Sequence, residues 1–327
     1  MTSPNSGAES VGDDRNVTDT AGTDRALPRS MEPEATFEAM RPTLTGLAYR
    51  LLGSWSEAED VVGDVAERWL RADGTTIENP EAWLTTVTTR RALDVLRSAR
   101  VTRVEYPGEW LPEPIATDGL PAEYVEQRES LRLGFLTMLE RLTPIERAVL
   151  VLYDVMGWDH AAIAEALERE PAAVRQALHR ARKHVGDDER THDATRVDHD
   201  TVQSLLDRAL VALAEGDEIG VAGLLSPDVV LIGDGGGVVT SAMRPVTGSE
   251  RVGRFLLVLA SRQSDFEVRS IEINGVPGYA LHFDGIWSLI TIDTDGDRIT
   301  RVYSVRNPAK TSTAVGQAGL VQAPDCL

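Results

Sequence analysis

The chain has 327 residues, more than one ordinary helical core accommodates, so two or three folded units are expected. Its formal charge of −19 argues against a protein that coats nucleic acid indiscriminately, because that affinity comes from neutralised phosphates, and any DNA contact is expected to be local. The single cysteine, Cys326, excludes an internal disulfide framework and a multi-Cys zinc site; no run approaches the ~20 apolar residues of a membrane span, and the acidic N-terminus is unlike a signal peptide, so a cytoplasmic protein with no membrane association is expected.

Residues 1–30 are rich in Ser, Thr, Asp and Gly and read as a disordered tail. A helical domain is expected over 31–104. Its first helix begins near Phe37, carries Met40, Leu44, Leu47, Ala48 and Leu51 at helical spacing, and ends at Gly53. Ser56 and Glu59 form a capping-box pattern for a second helix, whose apolar stripe is Val61, Val62, Val65, Ala66, Trp69 and Leu70, leaving Asp60, Asp64 and Glu67 to face elsewhere. Asn79 and Pro80 start a third helix running toward Arg100. The run Thr85–Thr89 favours strand, a conflict that burial inside a bundle would resolve. On this segment Arg90, Arg91, Arg97, Arg100 and Arg103 outnumber Glu81 and Asp94, a positive strip suited to single-strand phosphates.

Pro107, Pro112, Pro114 and Pro121 make 105–122 a linker, in which neither a helix nor a central strand persists. The Trp110-centred stretch is either a stiff spacer or a docking segment. Residues 123–188 read as helix throughout. Within them DHAAIAEAL, the turn EREP and PAAVRQALHRARKHV have the layout of a helix-turn-helix. On the second helix Val174, Ala177, Leu178 and Ala181 form one stripe; Ala172, Gln176, His179 and Lys183 lie opposite, flanked by Arg175, Arg180 and Arg182. Arg175 and Gln176 are expected to read base edges, and Arg180 and Arg182 to hold phosphate. The plainer reading is a basic solvated helix face.

A joint is expected at 189–200, an α+β unit at 201–310 and a flexible tail at 311–327. The α+β unit holds a helix through Leu205, Leu206, Ala209, Leu210 and Leu213, another near Arg251–Ala260, and the strand-like runs VVLIG, FEVRSIEI, GYALHF, WSLITID and ITRVYSV. Gly235, Gly236 and Gly237 lack the Lys and Ser/Thr of a phosphate loop and read as a turn. DTDGD at 293–297 lacks the remaining calcium ligands and reads as a hairpin turn at Asp295-Gly296. His282 and Asp284, two apart on a strand, would share a face, but no nucleophile or metal set accompanies them, so neither a catalytic nor a metal site is expected.

Taken in order, SEAEDVVGDVAERWL (56–70), PEAWLTTVTTRRALDVLRSARVTR (80–103) and the helix-turn-helix resemble an extracytoplasmic-function sigma factor over roughly residues 35–188. YPGEWLPEP (106–114), GDGGG (233–237), NGVPG (274–278) and NPAK (307–310) resemble signatures of the group with a fused C-terminal SnoaL-like domain. The resemblance implies a multidomain fold: two all-α domains, a region 2 bundle and a region 4 helix-turn-helix, then an α+β SnoaL-like cone or barrel. It implies core RNA polymerase and promoter DNA as partners and no cofactor, and leaves open an unidentified small ligand in the C-terminal domain. Asp60, Asp64 and Glu67 would meet the polymerase clamp, with Gly63 standing where the family usually has Gln. The arginine strip would hold the melted downstream element, and the second helix of the helix-turn-helix would read the upstream one. Trp110, Leu111, Pro112, Glu113 and Pro114 of the linker, with Asp234, Gly235, Gly236, Gly237, Asn274, Gly275 and Gly278, would form the regulatory contact. Glu168 occupies a turn position where the family commonly has Gly, so a distorted turn is expected. Two rivals remain at this stage, a stand-alone ligand-sensing helix-turn-helix regulator and a SnoaL-like enzyme with a DNA-binding appendage.

Overall fold

The computed structural model describes residues 33–72, 77–121, 124, 128–186, 198–262 and 266–320, without the side chains of 99–104 and 128. The tail expected at 1–30, most of the joint expected at 189–200, and residues 321–327 lie outside the described residues.

Three helices form the first bundle: α1 (Pro33–Leu52), α2 (Trp55–Arg71) and α3 (Pro80–Val104). α1 ends where Gly53 turns left-handed, φ 69°. The cap of α2 is Ser54 rather than Ser56: Ser54 is extended and its side chain accepts from the Glu57 N–H at 3.3 Å, which puts the Ser56–Glu59 pattern two residues too late. Val61, Val62, Val65 and Trp69 are buried along α2, whereas Leu70, also expected there, is 61% exposed because it lies a further 100° round the helix. In α3 Thr85, Thr88 and Thr89 are buried, and Thr89 Oγ1 donates to the Thr85 carbonyl at 2.8 Å, so tertiary burial overrides the strand preference of this run.

The helical stretch after the linker is broken into several short pieces before the helix-turn-helix, whose second helix is long. The stretch comprises a 3-10 turn at Arg128–Leu131, α4 (Leu133–Leu139), α5 (Pro144–Leu150), a π turn at Val151–Val155, α6 (His160–Ala166) and α7 (Pro171–Gly186). Leu44, Leu47 and Leu52 of the first bundle share one apolar core with Leu136, Leu139, Val149 and Leu152 of the second. At this seam Arg147, 2% exposed, donates to the Leu51 carbonyl and to Glu140 Oε1, both at 2.9 Å. The two helical modules are therefore packed together, not strung apart on the linker.

The C-terminal unit comprises α8 (His199–Glu215), α9 (Glu218–Leu224), β1 (Leu225–Asp234), β2 (Val246–Thr247), α10 (Ser249–Ser261), β3 (Glu267–Ile273), β4 (Val276–Phe283), β5 (Ile286–Thr294), β6 (Ile299–Val305) and α11 (Pro308–Gln317). The six-stranded sheet has the order β2-β1-β6-β5-β4-β3, with β1 and β6 parallel and the other neighbours antiparallel. Alternation along the strands gives it two apolar faces. Tyr279, Ile292 and Val302 pack under Val202, Leu205 and Leu206 of α8 and Val252 of α10. Ala280, Leu289, Tyr303 and Val305 face the other way, where Leu111 and Ala116 of the linker, Leu133 of α4, and Ala314 and Val315 of α11 cover them. The second face is thus closed by the rest of the chain. The tail expected from Thr311 is corrected by α11: Asn307 caps it, and Thr311, Ala314 and Val315 are buried. Its small residues pack closely without the large apolar side chains that a sequence reading relies on.

Candidate nucleic-acid interface

Asp159 caps α6, accepting from the Ala161 and Ala162 N–H groups at 2.9 and 2.8 Å. On α7 Val174, Ala177, Leu178 and Ala181 are all at most 4% exposed, which turns the opposite edge to solvent. Arg175, Gln176 and His179, with Ala172 and Arg180, line an open concavity of about 460 Å³. Among the described residues no hydrogen bond or ion pair engages Arg175, Gln176, His179 or Lys183. Arg180 and Arg182 are held: Arg180 Nε donates to Glu146 Oε1 at 2.9 Å, and Arg182 donates to Asp154 Oδ1 at 2.5 Å while lying over the Tyr153 ring. Glu146 is itself the N3 residue of the α5 capping box; burial pushes its pKa up, but hydrogen bonds from Thr143 and Arg180 outweigh this and leave it below the usual carboxylate range. The side chains free to reach bases and those fixed by carboxylates therefore lie on one helix.

The turn before α7 is not distorted. Glu168 takes the left-handed conformation, φ 53°, although it is not glycine, at a cost of roughly 1–2 kcal/mol. What it meets is Arg90 of α3, whose Nη1 lies 2.8 Å from Glu168 Oε1. Arg90 Nε also donates to the Ala166 carbonyl at 2.7 Å and Nη2 to the Glu165 carbonyl at 3.4 Å. Of the other strip residues, Arg91 Nε donates to Asp64 Oδ2 at 2.7 Å and Arg97 pairs with Asp94 at 3.2 Å, while the side chains of Arg100 and Arg103 lie outside those described. Two residues assigned on sequence to different partners, Asp64 and Arg91, thus neutralise each other. On α2 Glu67 pairs with Arg71, Asp60 is exposed, and a Cβ at Gly63 would meet nothing within 4 Å, so packing does not require glycine there.

The linker is docked from Tyr106 to Thr117. Asp234, fully buried at the end of β1, accepts from Tyr106 Oη at 2.5 Å, from the Leu111 N–H at 2.9 Å and from Lys310 Nζ at 2.7 Å. Lys310 Nζ also donates to the Leu111 carbonyl at 2.5 Å and sits 3.2 Å from the centre of the Trp110 ring. Burial first, and the Asp234 carboxylate beside it, push the Tyr106 hydroxyl's pKa up, so it stays a donor. Gly236 and Gly237 both have positive φ, and a Cβ at Gly237 would come within 2.7 Å of Pro107, so the glycines admit the strap where a side chain would exclude it. Pro112 and Pro114 flank Glu113, whose Oε2 accepts from Ser54 Oγ at 2.8 Å and the Trp55 N–H at 2.9 Å at the start of α2, and whose Oε1 accepts from Thr313 Oγ1 of α11 at 2.5 Å. Asn274, left-handed at φ 54°, donates from Nδ2 to Tyr49 Oη at 2.6 Å and to the Leu131 carbonyl at 2.9 Å. Its Oδ1 accepts from the Ile115 N–H at 3.1 Å, and Gly275 N–H donates to Thr117 Oγ1 at 2.9 Å. Gly278 is placed differently: it sits inside the sheet, where a Cβ would meet Ile273 and the Ile290 carbonyl. Tyr49 and Thr313 were not singled out from sequence; Tyr106 lies in the YPGEWLPEP motif, and Asn307 and Lys310 lie in NPAK.

His282 and Asp284 do not share a strand face. His282 is the penultimate residue of β4, with its ring 4.8 Å from that of Trp287, whereas Asp284 lies in the following turn with φ 53°. The turn at Asp295-Gly296 closes the β5–β6 hairpin, Asp295 Oδ1 accepting from the Asp297 and Arg298 N–H groups.

Comparison with known proteins places these modules. A Sigma-70 region 2 family profile matches residues 36–102 and a Sigma-70 region 4 profile residues 132–185. The chain is 42% identical over 303 residues to the ECF RNA polymerase sigma factor SigJ of Mycobacterium tuberculosis, covering 84% of this chain and 91% of that one. It is 30% identical over 281 residues to the probable ECF RNA polymerase sigma factor SigI of the same species, covering 84% and 93%. The crystal structure of Mycobacterium tuberculosis SigJ superposes with a TM-score of 0.70 at 34% identity, over 86% of this chain and 99% of that one, so the α+β unit belongs to the shared architecture. With both helical modules matched and such identity extending through the C-terminal unit, the chain belongs to the extracytoplasmic-function RNA polymerase sigma factors.

Proposed function

We propose that the protein directs promoter-specific initiation by binding core RNA polymerase through the acidic face of α2, with Asp60, Asp64 and Glu67 toward the clamp. The α3 arginines take the melted downstream element and α7 reads the upstream one. The C-terminal unit, through Asp234, Lys310 and Asn274, sets the placement of the strap between these modules and so their activity. The observation carrying this reading is the division of α7 into an apolar buried stripe and an edge whose Arg175, Gln176 and His179 stand free beside an open concavity. The protein itself catalyses nothing in this reading, which the His282 ring against Trp287 and the turn position of Asp284 support.

Core dependence separates this from a stand-alone regulator. In a mobility-shift assay the chain is expected to select its promoter tightly only when core polymerase is present. Equally tight, equally selective binding by the chain alone would assign it to the regulator class instead.

A further inference from the structure

Among the strip arginines whose side chains are described, Arg90 is the one bonded to the other DNA-reading module. All three of its guanidinium nitrogens are engaged, to the Ala166 and Glu165 carbonyls and to Glu168. The carbonyls belong to the last turn of α6, where the helix dipole favours a cation. Glu168 holds an unfavourable left-handed backbone, and its carboxylate lands on Arg90. Beside this contact runs an interdomain groove of about 1330 Å³ between α1, α3 and α6, whose lining includes Glu38, Glu78, Glu81, Asp159 and Glu165. With all three nitrogens engaged, Arg90 as placed cannot also serve a melted strand.

We infer that Arg90 and the helix-turn-helix turn form a latch: the turn holds the guanidinium in the closed chain, and the melted downstream strand must take it away. The inference rests on the reading of α3 as the single-strand contact. It makes Glu168 a positioning residue that opposes strand binding although it never touches the strand, and it couples the two promoter contacts, since the turn that presents α7 surrenders Arg90 when α3 engages.

The test measures anisotropy of a labelled single-stranded oligonucleotide with the full chain. Glu168→Gln, which keeps the size and removes the charge, and Glu168→Gly, which also relieves the backbone, are each expected to tighten binding about two- to fivefold, the range set by the small worth of an exposed ion pair. Glu165→Gln removes the same charge one turn away, but its side chain has no part in the latch, so it is expected to change binding much less. Adding Arg90→Ala should abolish the gain. Thermal melting no lower for Glu168→Gly than for the parent shows that the gain is not partial unfolding. An equal gain with Glu165→Gln, or none with either Glu168 variant while Arg91→Ala still weakens binding, overturns the latch and leaves the strand reading standing. If neither Arg90→Ala nor Arg91→Ala alters binding in any background, the strand reading itself fails, and the latch with it.

Discussion

Asp234→Ala is expected to cost about 3–5 kcal/mol of stability, because it strands the Lys310 ammonium, 7% exposed, in a site whose other walls are Trp110 and Tyr106. The carboxylate also accepts from Tyr106 and from the Leu111 and Gly236 N–H groups, so its loss orphans three further donors. Denaturant melting gives the total cost, and amide hydrogen exchange over residues 105–117 shows whether it falls on the strap. Combining Asp234→Ala with Lys310→Met removes the uncompensated charge and should recover a large share of the loss. A cost below about 1 kcal/mol for the single variant would mean that the strap is held by apolar contact at Leu111 and Ala116 instead, and that the ion pair is incidental.

The second large effect concerns selectivity. Arg175→Ala or Gln176→Ala in the holoenzyme should lose about 1–3 kcal/mol of discrimination, roughly fivefold to 150-fold between the matched upstream element and one changed at the contacted base. Lys183→Ala, nearer the end of α7, should weaken all sequences alike and lower the salt dependence of binding. Arg180 and Arg182 differ from the sequence expectation in one respect: each must leave a carboxylate, Glu146 or Asp154, before it holds phosphate, so replacing them yields less than a free arginine would. Quantitative footprinting on a panel of single-base promoter variants separates these patterns, and uniform losses from Arg175→Ala across the panel would remove it from base reading.

The helical modules were legible wherever a local period decides structure. Val174, Ala177, Leu178 and Ala181 are buried because they recur at helical spacing, and the five strand runs lie in five of the six strands because alternation and β-branching mark them. GDGGG was legible as a turn, and Gly236 and Gly237 do have positive φ, whereas NGVPG, whose Asn274 is also left-handed, was marked by resemblance alone. What stayed hidden depends on residues far apart in the chain. Arg90 meets a turn 76 residues away, Tyr49 meets Asn274 225 residues away, and Glu113 reaches Thr313 200 residues away. Each is an ordinary polar side chain whose local neighbours say nothing of its partner. The cap of α2 was misplaced by two residues because Ser54 and Ser56 are equivalent as letters and differ only in backbone angle. α11 escaped notice because Ala, Ser, Thr and Gly pack well against a sheet without looking apolar.

Run-off transcription with purified core polymerase tests the central claim most directly, using the full chain, the Asp234→Ala chain and templates carrying the selected promoter. The account predicts transcripts from one defined start that require both core and the chain, with an output that changes when Asp234→Ala releases the strap. Failure of the chain to associate with core in either form, with no start-specific transcript, would contradict it.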